Sequence, residues 1–204
     1  MTPPSLLPSG EKHHVSGPKF SSLFANRTFW LVGFSYFCVS YGLYGITTFM
    51  VDYAQHQLGL TLAKAGLLAT VHGIAQVLGV LTVLPFSDYL GRKKTLIFSN
   101  GIICTCLVGI ILSGGSWILL YLFVGLMAVF YGATFPMYGA CAGDYFPEEI
   151  MGTVIGAGAI TVHWVSGMLR DATGGYHQAF LISAFMAGMA TVLVALIRKG
   201  PTID

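Results

Sequence analysis

Ser87-Asp88-Tyr89-Leu90-Gly91-Arg92-Lys93-Lys94 separates two long apolar runs and holds four of the chain's eighteen Asp, Glu, Lys and Arg residues. The preceding run, Ala65–Phe86, and the following one, Leu96–Leu112, carry no charge. A carboxylate, a glycine and three consecutive cations therefore sit in a tight polar connection between segments that water would not solvate. The physical arrangement puts a carboxylate near the end of one helix and a cationic cluster at the start of the next. Asp88 can pair with Arg92 or accept hydrogen bonds from a neighbouring helix N-terminus. Contacts of that kind can form in one conformation and break in another, which makes a latch. The same charges also serve as a topology signal, and spacing alone does not separate the two roles.

The rest of the chain follows the pattern set by these two runs. Charged residues make up 9% of 204 residues, against about 25% in soluble domains, and mean hydropathy is +0.75. A soluble surface cannot be assembled from so few charges. Crossing about 30 Å of hydrocarbon at 1.5 Å per residue takes about 20 apolar residues. Six segments meet or approach that length: Phe29–Val51, Ala65–Phe86, Leu96–Leu112, Trp117–Cys141, Val154–Leu169 and Ala179–Ile197. The fifth is the shortest, about 24 Å as straight helix; it spans by drawing in Gly152 and a snorkelling Arg170, or else it is broken or the bilayer thins around it. The Gly114-Gly115-Ser116 turn requires the third and fourth segments to be antiparallel neighbours.

Six spans put both termini on one side. That side holds Lys12, Lys19, Arg27, Arg92, Lys93, Lys94, Arg198 and Lys199, and the other holds Lys64 and Arg170. The bias predicts cytoplasmic termini in the plasma membrane, or the inner membrane of a bacterium. The expected organisation is a cytoplasmic tail and linker over 1–27, a six-helix transmembrane domain over 28–199 and a short cytoplasmic tail over 200–204. Phe20, Leu23 and Phe24 have the spacing of a short interfacial helix. The prolines and polar residues of 1–20 leave no apolar core of signal-peptide length.

Small residues four apart, at Gly139/Gly143, Gly152/Gly156, Ala128/Gly132 and Ala184/Gly188, allow helix backbones to approach closely. The four cysteines (Cys38, Cys104, Cys106 and Cys141) fit no metal-ligand spacing and are read as buried free thiols. No cofactor or metal is expected.

Polar groups inside a span are costly and mark functional positions by default. His72 and Gln76 share a face of the second span, and the imidazole can change charge near neutral pH. They line a solvated pathway or form an inter-helical hydrogen bond. Tyr36, Ser40 and Tyr44, at i, i+4 and i+8 of the first span, form a polar aromatic stripe that suits a substrate cavity or ordinary packing. Tyr131 and Tyr138 flank Pro136, which removes a backbone donor and makes a kink that is either a gating hinge or static. His163 on the fifth span relays a proton, binds an anion or caps a backbone carbonyl. No Asp or Glu lies deep in any span, so a coupling proton would need a histidine or a group elsewhere.

The polar connection resembles the signature of the major facilitator transporters, G-x-x-x-D-R-x-G-R-[RK]-[RK]. Asp88, Gly91, Arg92, Lys93 and Lys94 match it, while Leu84 and Tyr89 depart from it. Three further stretches are similar to that family in the right order. Asn26-Arg27-Thr28-Phe29-Trp30 resembles the entry to the seventh helix, Asp144–Gly152 the loop between helices ten and eleven, and Asp171–Tyr176 the final turn. In the loop, Met151 stands where Arg is frequent. The degenerate motif is that of a carboxy-terminal half. The resemblance implies an all-α membrane protein in which six transmembrane helices, as two three-helix inverted repeats, form half of a twelve-helix bundle. It implies alternating-access transport of a small solute, a small organic anion by analogy, in the lipid bilayer with a second six-helix half. The motif residues then serve as a gate. The alternatives are a truncated or homodimerising half without transport of its own, and a membrane scaffold or channel.

Other classes find little support. An intramembrane serine protease needs an activated Ser, usually in G-x-S-G, and none of the four Ser-Gly pairs has Gly two residues before the Ser. There is no phosphate loop and no filter motif. The basic residues are too few for a nucleic-acid surface, so no nucleic-acid partner is expected.

Overall fold

The structure, a computed structural model, describes residues 27–144 and 176–197. Those residues form five helices long and apolar enough to cross a membrane. We label them α1 (Arg27–His56), α2 (Leu62–Leu90), α3 (Arg92–Leu112), α4 (Trp117–Gly143) and α5 (Tyr176–Leu196). The reason for helix is general: lipid offers no partner for a backbone N–H or C=O, so each segment must satisfy its own. The expected fifth span, with the Asp171 turn and both tails, lies outside the described residues.

The helices run past the apolar limits drawn from sequence. α1 continues from Val51 to His56, α2 begins at Leu62 and ends at Leu90, and α3 begins at Arg92. Hydropathy locates hydrocarbon, whereas a helix persists into the interface until a residue stops it. At Gly91 the backbone adopts φ 91°, ψ 128°, a region open in practice to glycine alone. One residue thus separates α2 from α3. Gly114 and Gly115, at φ 60° and 89°, turn α3 back into α4. Thr61 starts α2, its hydroxyl accepting from the Lys64 N–H at 3.4 Å.

The packing order is not the chain order. α5 packs along α1 and α3, α3 along α4, and α4 along α2, while α2 touches its sequence neighbours α1 and α3 lightly. The small-residue expectation holds at Gly132. A Cβ there would meet the Gln76 carbonyl, and one at Gly79 would meet that of Val129. Two glycines thus let α2 and α4 press backbone to backbone, as helices in lipid do when van der Waals contact must hold them. Gly42 brings α1 against α5, where a Cβ would lie 2.8 Å from the Ser183 carbonyl oxygen. On the Ala184/Gly188 face, the half-buried Cys104 thiol donates to the Ala184 carbonyl at 3.4 Å. All four cysteines are free, and three are buried.

A polar knot ties four of the helices. Tyr138 of α4 is 1% exposed. Its hydroxyl lies 2.5 Å from Ser35 Oγ of α1 and 2.9 Å from Asn100 Nδ2 of α3. Ser35 Oγ donates to the Ala190 carbonyl of α5 at 3.0 Å, so it must accept from Tyr138. The tyrosine oxygen in turn accepts from Asn100. Each hydroxyl donates once and accepts once, and the order of donors is determined throughout.

The ends of the bundle are distinct. Asp144 and the last residues of α5 gather around Arg92 and Lys93 at one end. At the other, Tyr176 packs on Phe49 and Tyr53, with ring centroids 6.2 and 6.1 Å away. There too the Tyr121 hydroxyl donates to the Lys64 carbonyl, and Lys64 Nζ stands 5.8 Å from the Trp117 ring.

Two outcomes are expected. Gly132→Val should separate α2 from α4 and lower the thermal midpoint in detergent by several degrees. Gly66→Ala, on open space, should leave it unchanged; equal midpoints for both variants would refute the close approach. Tyr138→Phe should cost about 1–2 kcal/mol, the scale of an inter-helical hydrogen bond in lipid, measured by denaturant titration. A loss no greater than that of Tyr89→Phe, at an 89% exposed tyrosine, would remove the knot's special standing.

Candidate functional site

α1 meets α2 and α4 only lightly along one seam, whereas α2 and α4 pack closely along each other. The stripe at i, i+4 and i+8 on α1 and the His72 face of α2 turn toward this seam. Tyr36 and Ser40 are buried, Tyr44 is half-buried, and His72 is 7% exposed. On α4, Tyr131 is buried beside them.

The rings form one continuous cluster with Phe135 at its centre. Phe135 lies 5.7 Å from Tyr36, 5.9 Å from Tyr44 and 5.4 Å from Tyr131. The His72 imidazole lies 5.5 Å from the Tyr131 ring, tilted by 38°, and Tyr36 meets Tyr138 edge-on at 5.6 Å. Sequence reading missed Phe135, an apolar residue beside a proline. Asn100 and Ser35 were missed too, although an asparagine in the middle of an apolar span was a readable signal.

Within the cluster, polar atoms stand without partners among the described residues. His72 Nε2 and Ser40 Oγ are both buried and accept or donate no hydrogen bond there. Ser40 faces the Tyr36 hydroxyl from the next helical turn but falls outside hydrogen-bond geometry. Leaving such groups unsatisfied costs free energy unless something polar visits them. Gln76 is half-buried, and its backbone forms the contact with Gly132. The Tyr138 hydroxyl, on α4, is committed to Ser35 and Asn100. α4 runs through Pro136 as a single helix. His163 lies outside the described residues. No group of three or more His, Cys, Asp or Glu among the described residues could hold a metal ion.

The motif connection is resolved residue by residue. Asp88 lies 3.7 Å from Arg92 Nε, both on exposed surface. The shorter contact of Arg92 is with Asp144, Nη1 to Oδ1 at 2.6 Å, reinforced by a 3.1 Å bond to the Ala140 carbonyl. The tightest pair thus joins α3 to the end of α4, not to the end of α2. Lys93 reaches the other way, donating to the Ala195 and Ile197 carbonyls at 3.0 and 2.5 Å. Those are terminal carbonyls of α5, where the helix dipole favours a cation. Lys94 is exposed beyond both.

Comparison with known proteins agrees with this architecture. The family model described as Major Facilitator Superfamily matches residues 32–203. The cis,cis-muconate transport protein of Acinetobacter baylyi is 26% identical over 193 residues, covering 93% of this chain and 45% of that protein. The chain therefore spans about half the length of the curated relative it matches. Among solved structures, the fucose:proton symporter of E. coli superposes with a TM-score of 0.74 at 18% identity, over 88% of this chain and 45% of the symporter. The POT family transporter PepTSo gives 0.66 at 19% identity, over 87% and 39%. At these identities the likeness is one of fold.

The geometry around Arg92 makes a specific prediction. Asp144→Asn should destabilise the chain more than Asp88→Asn, by about 1 kcal/mol or less for so exposed a pair. The exchange Arg92→Asp with Asp144→Arg should recover part of the loss in a double-mutant cycle. Equal effects of the two Asn variants, with no coupling in the cycle, would show that the pairing carries no energy.

Proposed function

The chain belongs to the Major Facilitator Superfamily, and from that membership we propose that it acts in secondary transport of a small organic anion. In this reading it is one six-helix half of a twelve-helix carrier working by alternating access. Its partner is a second six-helix half, on the same longer polypeptide or on another chain. Supporting a sixth crossing, Asp144 and Tyr176 stand at opposite ends of the bundle. The share of its relatives that the chain covers, 45% of the muconate transport protein and of the fucose symporter, supports a missing half. The eight-to-two excess of Lys and Arg on the motif side supports cytoplasmic termini and residence in the plasma membrane.

One observation carries the substrate class: the imidazole of His72 and the hydroxyl of Ser40 are buried, without hydrogen-bond partners among the described residues, and set in an aromatic cluster where α1 meets α2 and α4 only lightly. An anion taken out of water needs donors and no competing carboxylate. The cluster offers hydroxyls of Tyr36, Ser40 and Tyr44 together with His72. The three described carboxylates, Asp52, Asp88 and Asp144, all lie near helix ends. The ring faces suit a flat, conjugated skeleton. cis,cis-Muconate, a conjugated dicarboxylate transported by the relative, has both features, and it serves as the probe.

In the transport cycle the substrate would enter the seam from one face and replace its water with the cluster's donors. Closure at one end and opening at the other would follow from rocking this half against its partner. Arg92 with Asp144, and Lys93 with the end of α5, are contacts on the motif side suited to forming in one state and loosening in the other. His72 is the titratable group placed to couple a proton to the anion. All of the transporter relatives point away from an enzymatic role, and the protease reading is set aside.

The test is binding by the chain in lipid nanodiscs, followed as a shift in thermal midpoint. cis,cis-Muconate should raise the midpoint and L-fucose at the same concentration should not. His72→Ala should weaken the muconate response at least tenfold in concentration while the unliganded midpoint changes little. A response to fucose equal to that of muconate, or one indifferent to His72, would overturn the anion reading.

A further inference from the structure

Three consecutive cations at the start of α3 meet three different environments. Arg92 is held by Asp144 and Lys93 by the terminal carbonyls of α5. Lys94 makes no ion pair or hydrogen bond among the described residues and is exposed. It does not point into empty surroundings, however. Lys94 stands on the wall of a cavity of about 540 Å³ that opens between α2, α3 and α4.

The cavity exists because of the packing order. Gly91 turns α2 into α3, yet the two helices touch only lightly, and the gap between them is floored by Phe130 of α4. Its walls are Val83, Phe86 and Leu90 from α2 and Phe98 from α3, with Thr82 and Thr95 completing them. Both threonine hydroxyls donate to carbonyls of their own helices, Leu78 at 2.7 Å and Gly91 at 3.2 Å. Lys94 is thus the one charged group of the lining. From Thr82 to Leu90 the groove follows about 12 Å of α2 at the helical rise.

The groove presents hydrocarbon along its length and a single unpaired ammonium where α3 begins, at the motif end of the bundle. That polarity matches a molecule with an anionic head and a long apolar tail. A helix of a second half would bring no charge of opposite sign to Lys94 by necessity and would need a ridge to fill the bore. We propose that this groove is a binding site for an anionic phospholipid, with an acyl chain between α2 and α3 over Phe130 and the phosphate on Lys94. The site is separate from the His72 cluster and does not depend on what the protein transports.

The experiment uses the purified chain in nanodiscs of equal phosphatidylglycerol and phosphatidylcholine with identical acyl chains, followed by native mass spectrometry of retained lipid. The wild-type chain should keep phosphatidylglycerol at least fivefold in preference to phosphatidylcholine. Lys94→Gln should bring that ratio close to one, Lys94→Arg should preserve it, and Lys64→Gln at the opposite end should leave it intact. Phe98→Ala, which removes a wall, should reduce retention of both lipids. Inorganic phosphate should not displace the lipid at millimolar concentration, because the tail supplies the hold. No preference in the wild-type chain, an unchanged ratio in Lys94→Gln, or displacement by free phosphate would each overturn the proposal. The exposed position of Lys94 keeps its variants folded, which an unchanged midpoint in phosphatidylcholine alone verifies.

Discussion

The hydroxyl of Tyr138 is where the bundle is made specific. In lipid, apolar side chains gain nothing by leaving hydrocarbon for one another, so helices need van der Waals fit or a hydrogen bond to choose a partner. Tyr138 supplies the choice for four helices at once, through Ser35 on α1, Asn100 on α3 and, by way of Ser35, the Ala190 carbonyl of α5. Because Ser35 has its proton committed to α5, the direction of every other bond follows. The close contact at Gly42, and the ring cluster around Phe135, are arranged about helices whose relative rotation this knot restricts.

The architecture was readable in the sequence because bilayer physics leaves few options. Uncharged runs of the right length have to be helices, and Gly91 and the Gly114-Gly115 pair marked the turns. Helix ends were less readable. α1 and α2 each continue several residues beyond their apolar limits, since hydropathy reports the edge of the hydrocarbon and not the residue that ends a helix. The candidate site was half legible. Period-four spacing put Tyr36, Ser40 and Tyr44 on one face, but it could not say which helix that face meets. It gave no reason to select Phe135, whose role comes from three rings on other turns and helices converging on it. The same limit hid Arg92's shorter contact, because Asp144 is distant in sequence and Asp88 is only four residues away.

The Arg92-Lys93-Lys94 run shows how one short charged segment can be divided by geometry. Successive side chains on a helix point about 100° apart. Three adjacent cations therefore face three directions, toward the end of α4, the end of α5 and the gap beside α2. Two neutralise partial or full negative charge at helix C-termini, and the third faces a site with no counter-charge among the described residues. Reading the run as a single basic patch would miss this division.

α2 alone of the described helices contributes nothing to the Tyr138 knot. Its firm neighbour is α4, which it meets through the glycines at 79 and 132, the Tyr121 bond to the Lys64 carbonyl and the His72 ring against Tyr131. α2 therefore takes its place chiefly from one neighbour, as a plank is held by a single post. Any change in the pose of α4 is passed directly to the imidazole, whereas the other three helices reach it only by way of α4 or through light contacts.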